Sequence, residues 1–117
     1  MIKSIKIQHN YPSPVRKCVT YIDKNLHDKI TLDDLGEISG LSKDYLSQLF
    51  KKTTGNTITE YIRKRRLDSS KKLLDRGTTI SDTAYGLDFC SESYFIACFK
   101  NKFGITPKEY IKNKGKL

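Results

Sequence analysis

The sequence predicts an all-α fold in which one helix-turn-helix unit is present twice, with a long helix joining the two copies. Three observations support this prediction. Apolar residues recur at the three- and four-residue spacing of a helix along most of the chain. Capping residues and glycines mark where the helices begin and end. Residues around Phe50 recur 49 positions later, around Phe99.

The first predicted lobe, residues 13–56, contains three helices. Each begins at a serine or threonine whose side chain can accept a hydrogen bond from a backbone N–H group of the first turn. These predicted caps are Ser13, Thr31 and Ser42. The third helix is predicted over Lys43–Thr54, and Gly55 ends it because a left-handed residue is favoured there.

A fourth helix, within residues 57–76, is predicted to link the two lobes. It begins at a capping box formed by Thr57 and Glu60 and extends to about Asp75. If it has roughly 18 residues, it is about 27 Å long at 1.5 Å per residue. The sequence therefore predicts a rigid spacer between two similar units.

The second predicted lobe, residues 77–117, repeats the pattern of the first. Thr79 caps a short fifth helix, and either Ser91 or Ser93 caps the sixth, which ends at Gly104. Thr106 to Glu109 forms a further capping box with proline in the first turn. Residues 1–12 are expected to be a flexible lead-in, and the basic segment after Tyr110 is expected to fray.

The internal repeat aligns the two lobes residue by residue. From the third helix onward the offset is 49, which matches Tyr45, Leu46, Phe50, Lys51, Gly55, Thr57, Glu60, Tyr61 and Ile62 to Tyr94, Phe95, Phe99, Lys100, Gly104, Thr106, Glu109, Tyr110 and Ile111. Upstream the offset is 48, which matches Leu32, Gly36 and Leu41 to Ile80, Ala84 and Phe89. One residue is therefore inserted between the turn and the second helix of the second copy.

Composition favours an anionic partner and excludes several classes of protein. Basic residues exceed acidic ones by 22 − 13 = 9, and an excess of this size is typical of nucleic-acid binding. No apolar run approaches the roughly 18 residues of a membrane span, and the first residues of the sequence lack the long apolar core that is typical of a secretion signal. Three cysteines without a CxxC spacing predict neither a disulfide framework nor a zinc site, and buried reduced thiols are expected at Cys18 and Cys98. We expect a cytoplasmic protein without a cofactor.

Catalytic chemistry has no support in the sequence. His9 and His27 lack the spacing of metal ligands, and no nucleophile, P-loop or zinc-protease motif occurs. The tyrosines of the repeat, Tyr45, Tyr61, Tyr94 and Tyr110, are expected at the edge of the core. The sequence therefore indicates a binding protein rather than an enzyme.

These residues resemble the DNA-binding domain of AraC/XylS-type bacterial transcription regulators over about residues 15–111. The second copy carries the most specific matches, which are Ile80, Ala84, Phe89, Ser93, Tyr94, Phe95, Phe99, Lys100, Phe103, Gly104, Thr106 and Pro107. The resemblance implies seven helices in two homeodomain-like lobes, and activation or repression of transcription at promoters. Two positions depart from the family pattern: Asp88 replaces a turn glycine, and Gly36 replaces a residue that is usually alanine. Aspartate tolerates a left-handed turn better than most residues.

The predicted DNA contacts follow from outward positions on the two recognition helices, where the resemblance also implies base contacts. The predicted base contacts are Lys43, Asp44, Ser47 and Gln48 in the first copy, and Glu92, Ser93, Ile96 and Ala97 in the second. The predicted phosphate contacts are Lys51, Lys52, Thr57, Lys100, Lys102 and Thr106. Gln48 can pair with adenine, whereas Ile96 and Ala97 can only touch a thymine methyl. The second motif should therefore read bases less directly.

The expected partner is double-stranded promoter DNA, entered in two successive major grooves about 34 Å apart. RNA polymerase is an expected protein partner, and larger members of the family carry a separate effector or sensor domain. The expected location is the bacterial cytoplasm, in association with the nucleoid. Within the basic block Arg63–Arg66, the resemblance matches Arg66 to an arginine expected to pair between the lobes. The alternative function is a helical adaptor whose basic face binds an acidic protein.

Overall fold

The computed structural model describes residues 10–114, and this part of the chain consists of seven α-helices without a strand. The helices are α1 Ser13–Lys24, α2 Leu32–Ser39, α3 Lys43–Thr54, α4 Ile58–Asp75, α5 Ile80–Gly86, α6 Glu92–Phe103 and α7 Pro107–Lys114. The predicted all-α fold is confirmed. Most of the predicted lead-in, including His9, lies outside the described residues, as do residues 115–117.

The chain divides into two compact units, Met1–Ile62 and Arg63–Leu117, and the boundary between them falls inside α4. Each unit has its own apolar core, to which α4 contributes in both cases. The core of the first unit includes Val15, Cys18, Val19, Ile22, Leu26, Leu35, Leu46, Phe50 and Ile62. The core of the second includes Leu67, Leu74, Ala84, Leu87, Phe89, Phe95 and Phe99, with the polar Ser70 and Thr83 buried among them.

Side-chain caps begin most of the helices where the sequence predicts them. The hydroxyl groups of Thr31, Ser42, Thr79 and Ser91 each accept a hydrogen bond from the backbone N–H three residues on. Ser13 does not do so. Helix α1 begins one residue earlier than expected, with Pro12 at the cap position and no side-chain cap, and the Pro12 carbonyl accepts from the Arg16 N–H group at 3.0 Å.

The two copies have the same local structure, as the repeat predicts. Gly55 and Gly104 end α3 and α6 in the left-handed region, with φ of 81° and 82°. The ring of Phe50 then meets that of Tyr61 edge to face at 5.2 Å, and Phe99 meets Tyr110 in the same way at 5.8 Å. Each recognition helix is thereby fixed to the helix that follows it.

Three expectations about burial and order are wrong. Tyr45 is 55% exposed rather than at the edge of the core, whereas Tyr94 is at that edge, 42% exposed with its ring 6.0 Å from the ring of the buried Phe89. Cys98 is only half-buried, although Cys18 is fully buried. The chain after Tyr110 does not fray at once, because α7 continues to Lys114, whose ammonium group donates to the Asp75 carbonyl at 2.9 Å.

Candidate nucleic-acid interface

One side of α3 is buried and the other side carries the predicted base contacts of the first copy. Leu46 and Phe50 are fully buried in the core of the first unit. The outward side chains are exposed except for that of Ser47, which is half-buried; they are Lys43, Asp44, Ser47 and Gln48. Three kinds of polar group, a carboxylate, a hydroxyl and an amide, are therefore available on a single helical surface.

Gln48 is the best placed of these residues for reading a base. Its side chain is exposed, and it forms no hydrogen bond within residues 10–114. A glutamine amide offers a donor and an acceptor, which match the N7 and N6 groups of adenine in the major groove. Nothing in the described part of the protein has to be broken before this contact forms.

Lys43 is held by α2 instead of extending freely from α3. Its ammonium group forms an ion pair with the Asp33 carboxylate, and the hydrogen bond that it donates to Asp33 raises the pKa of Lys43. Both side chains remain more than half exposed, at 56% and 75%. The pair therefore connects the first two helices of the motif, and a base contact by Lys43 would require it to leave Asp33.

A groove of about 680 Å³ lies beside the outward face of α3. One wall carries predicted base and phosphate contacts, namely Ser47, Gln48, Lys51, Lys52 and Thr57. The remaining lining is mostly aliphatic and includes Ile30, Leu32, Leu35, Ile58 and Ile62. The structure thus brings two of the four predicted base contacts, Ser47 and Gln48, together with Lys51 and Lys52 along one groove, which Lys43 and Asp44 do not line.

Thr57 and Thr106 occupy equivalent cap positions but differ in what they can still offer a phosphate. The Thr57 N–H group donates to Glu60 at 2.9 Å, and its hydroxyl accepts from the Glu60 N–H group at 3.1 Å. The Thr106 hydroxyl also donates to the Glu109 carboxylate at 3.1 Å, and the bonds from Thr106 lower the pKa of Glu109. Only Thr57 keeps its hydroxyl proton available.

The second recognition helix, α6, presents a less polar surface. The Ser91 hydroxyl caps it by accepting from the Tyr94 N–H group at 3.0 Å, so Ser91 rather than Ser93 is the cap. Glu92, Ser93 and Ala97 are exposed and Ile96 is half-buried. Side chains one turn into the helix are therefore a methyl group and a branched alkyl group, where α3 has Ser47 and Gln48.

The predicted phosphate contacts of the second copy also differ in availability. Lys100 is exposed and forms no ion pair within the described residues. The Lys102 ammonium lies 3.7 Å from the Asp68 carboxylate and 5.6 Å from the centre of the Phe103 ring. Lys51 and Lys52 are exposed in the first copy. Of the four lysines predicted to contact phosphates, three are therefore readily available and Lys102 is partly neutralised.

Two exposed tyrosines are additional candidates that the sequence reasoning assigned to the core edge. Tyr45 and Tyr94 occupy equivalent positions in the first turn of α3 and α6, beside the predicted base contacts. A periodicity argument places them next to the buried Leu46 and Phe95, which is why they were expected to be partly covered. The recurrence of a tyrosine at this position in both copies is the sequence signal that could have identified them as candidates.

Comparison with known proteins gives consistent matches. A family model described as "Helix-turn-helix domain" matches residues 35–113. The chain is 38% identical over 91 residues to the bifunctional transcriptional activator/DNA repair enzyme AdaA of Bacillus subtilis, covering 77% of this chain and 43% of AdaA. It is 33% identical over 99 residues to the transcriptional activator AarP of Providencia stuartii, covering 84% of this chain and 73% of AarP. An AraC-type regulator structure from Chromobacterium violaceum superposes with a TM-score of 0.79 at 26% identity, covering 85% and 89% of the two chains.

The chain belongs to the AraC/XylS family. It is a DNA-binding domain of a transcription regulator, as the resemblance of the sequence predicted. It spans less than half of AdaA but about three quarters of AarP.

Two further findings describe this AraC/XylS domain. None of its helices within residues 10–114 is long and apolar enough to cross a membrane. The same residues contain no group of three or more histidine, cysteine, aspartate or glutamate side chains that could hold a metal ion.

Proposed function

We propose that this domain places α3 and α6 in two successive major grooves of a promoter, and that α3 supplies most of the direct base readout. The observation that carries this proposal is the difference between the two helical surfaces. Gln48 is exposed and unengaged within the described residues, and the residues of α6 that match Ser47 and Gln48 are Ile96 and Ala97. Hydrogen-bonding groups distinguish all four base pairs in the major groove, but alkyl groups recognise only the thymine methyl.

The second helix would then contribute chiefly through the DNA backbone and DNA shape. Lys100 and the exposed Tyr94 are the side chains available near α6 for such contacts. Lys51, Lys52, Thr57 and Tyr45 would serve the same purpose beside α3. Because Lys102 and Thr106 are already engaged with Asp68 and Glu109, we assign them smaller shares.

The salt dependence of binding tests the phosphate assignments. Each phosphate neutralised by a lysine changes the slope of log K against log salt by about −0.9. Three available lysines predict a slope of about −3, and a contribution from Lys102 would bring it toward about −4. Affinity that is indifferent to salt would contradict DNA binding through this surface.

The extent and asymmetry of the site test the two-groove arrangement. Footprinting should show protection of about 20 base pairs, because two major grooves on one side of DNA are one helical turn apart. Selection of high-affinity sequences should give one block of strongly preferred bases and one block of weaker preference. A single protected groove, or equal preference in both blocks, would contradict the proposal.

We further propose that RNA polymerase is a protein partner and that the protein acts in the bacterial cytoplasm at the nucleoid without catalysing a reaction. The domain is either a complete small activator or one part of a regulator that also carries an effector or sensor domain. Polymerase recruitment can be measured with purified components on promoter DNA. The alternative, an adaptor for an acidic protein, would give a stable protein complex and no sequence-selective DNA binding.

A further inference from the structure

The turn that precedes α6 is built on an aspartate in the left-handed region of backbone conformation. Asp88 has a φ of 59° and is the only non-glycine residue with positive φ in the described chain, residues 10–114. The offset of 48 matches it to Gly40 of the first copy, which has a φ of 74°. An L-residue with a β-carbon is strained in this region, although aspartate is tolerated better than most. The second copy thus makes the same turn with a residue that is less suited to it.

Arg66 of α4 lies against this turn. Its guanidinium Nη2 atom is 3.8 Å from the Asp88 Oδ2 atom, and the two side chains are 12% and 49% exposed. Burial lowers the pKa of Arg66, and the charge of Asp88 raises it again in part. A largely buried guanidinium costs free energy unless an opposite charge stays near it. The arginine therefore favours the turn conformation that keeps the carboxylate close.

The first copy has smaller residues at the positions that match Arg66 and Asp88. The offset of 48 matches Arg66 to Cys18, which is fully buried in α1 and whose thiol lies 3.7 Å from the Leu35 carbonyl of α2. The first copy thus combines a cysteine with Gly40 at the turn, and the second combines an arginine with Asp88. The two combinations occupy matching positions of the repeat, and only the combination in the second copy brings opposite charges together.

We propose that Arg66 is a positioning residue for DNA recognition, acting through Asp88 to set the direction in which α6 leaves the turn. Ser91, the cap of α6, follows Asp88 by only three residues, so a displaced turn would displace the surface that carries Ser93 and Ala97. This inference rests on the proposed function, because it assumes that α6 enters a groove. It concerns a residue that need not touch DNA itself.

A double-mutant cycle that rebuilds the solution of the first copy tests the proposal. The variants are Arg66→Cys, Asp88→Gly and the two together, with Lys72→Met as a control that removes one exposed charge from the same helix. Each single variant should bind the selected site about 5- to 30-fold more weakly, the range for losing one partner of a partly buried charge pair. The double variant should recover to within about threefold of the wild type, because it removes both members of the charge pair and gives the turn a glycine.

Asp88→Gly is the most informative single variant. It removes a negative charge, which by itself should strengthen binding to DNA, and it installs the residue that the turn geometry prefers. A loss of affinity despite both effects supports the role of the pair. Additive losses in the double variant, or single variants as tight as Lys72→Met, would overturn the proposal.

Base preference separates positioning from simple destabilisation. Loss of positioning should flatten preference only in the block of bases read by α6, while a lower melting temperature with unchanged preference would overturn the proposal. If the wild type itself ignores scrambling of that block, the two-groove arrangement fails instead. The positioning role of Arg66 is then tested without DNA, by the amide NMR chemical shifts of residues 88–97. Arg66→Cys should change these shifts and the double variant should return them to the wild-type values. Unchanged shifts in Arg66→Cys would overturn the proposal.

Discussion

Replacement of Gln48 by alanine should change which DNA sequences are bound and leave the fold intact. The side chain is exposed and has no hydrogen bond within residues 10–114, so its loss should alter the free energy of unfolding by less than about 0.5 kcal/mol. A bidentate contact to one base pair contributes about 1–3 kcal/mol of discrimination. That corresponds to roughly 5- to 150-fold in the dissociation constant, with RT of about 0.6 kcal/mol.

The measurement is fluorescence anisotropy at fixed salt with a panel of duplexes, each carrying one altered base pair in the block read by α3. Wild-type protein should discriminate strongly at one step, and Gln48→Ala should discriminate weakly at that step alone. Lys51→Ala is the matched control from the next turn of the same helix. It should weaken binding to every duplex alike and reduce the salt slope by about 1. The reverse pattern, uniform loss for Gln48→Ala and altered preference for Lys51→Ala, would refute the assignment of roles.

Three further changes test the fold. Gly36→Ala should stabilise the protein by about 0.5–1 kcal/mol in urea unfolding, because the added methyl would lie 3.5 Å or more from its nearest neighbours; destabilisation would indicate overpacking. Phe99→Ala should destabilise by about 3–5 kcal/mol, since the ring is fully buried among other aromatic rings; a melting temperature near that of wild type would contradict this. Tyr110→Phe removes a 2.8 Å hydrogen bond to Asp75 that lowers the pKa of Asp75 and raises that of Tyr110. The stability difference from wild type should be greatest between about pH 4 and pH 10. It should shrink as pH falls through the lowered pKa of Asp75 or rises through the raised pKa of Tyr110, and a difference independent of pH would exclude this role of the bond.

Features fixed by neighbours in the chain were predictable from the sequence. The bounds of α3 agree with the structure because its cap, Ser42, and its C-terminal residue, Gly55, act within one helical turn. The left-handed Asp88 was anticipated from the resemblance, because it stands where the family has a turn glycine. The start of α1 was not, because the backbone carbonyl of Pro12 does what a serine cap was expected to do.

Features that depend on distant partners escaped the sequence reasoning. Lys114 extends α7 by bonding to Asp75, which is 39 residues away. Lys43 was predicted to contact a base because helical periodicity places its side chain on the outward face of α3. Periodicity does not show that this side chain forms an ion pair with Asp33 of another helix. Helical periodicity alone did not separate Arg66 from the rest of the basic block of α4; the resemblance singled it out, and its burial and its ion pair with Asp88 depend on the fold.

The alkyl surface of α6 has a consequence for how such a regulator acquires new targets. Ala97 is exposed and Ile96 half-buried, so larger polar side chains could be introduced there at little cost to the core. On the proposed function, promoters bound by the domain would share one strongly conserved stretch of bases and vary more in the other. A polar side chain at either position would then add base preference in the block read by α6 and leave the bases preferred by α3 unchanged. This surface is therefore the natural starting point for redirecting the protein by design.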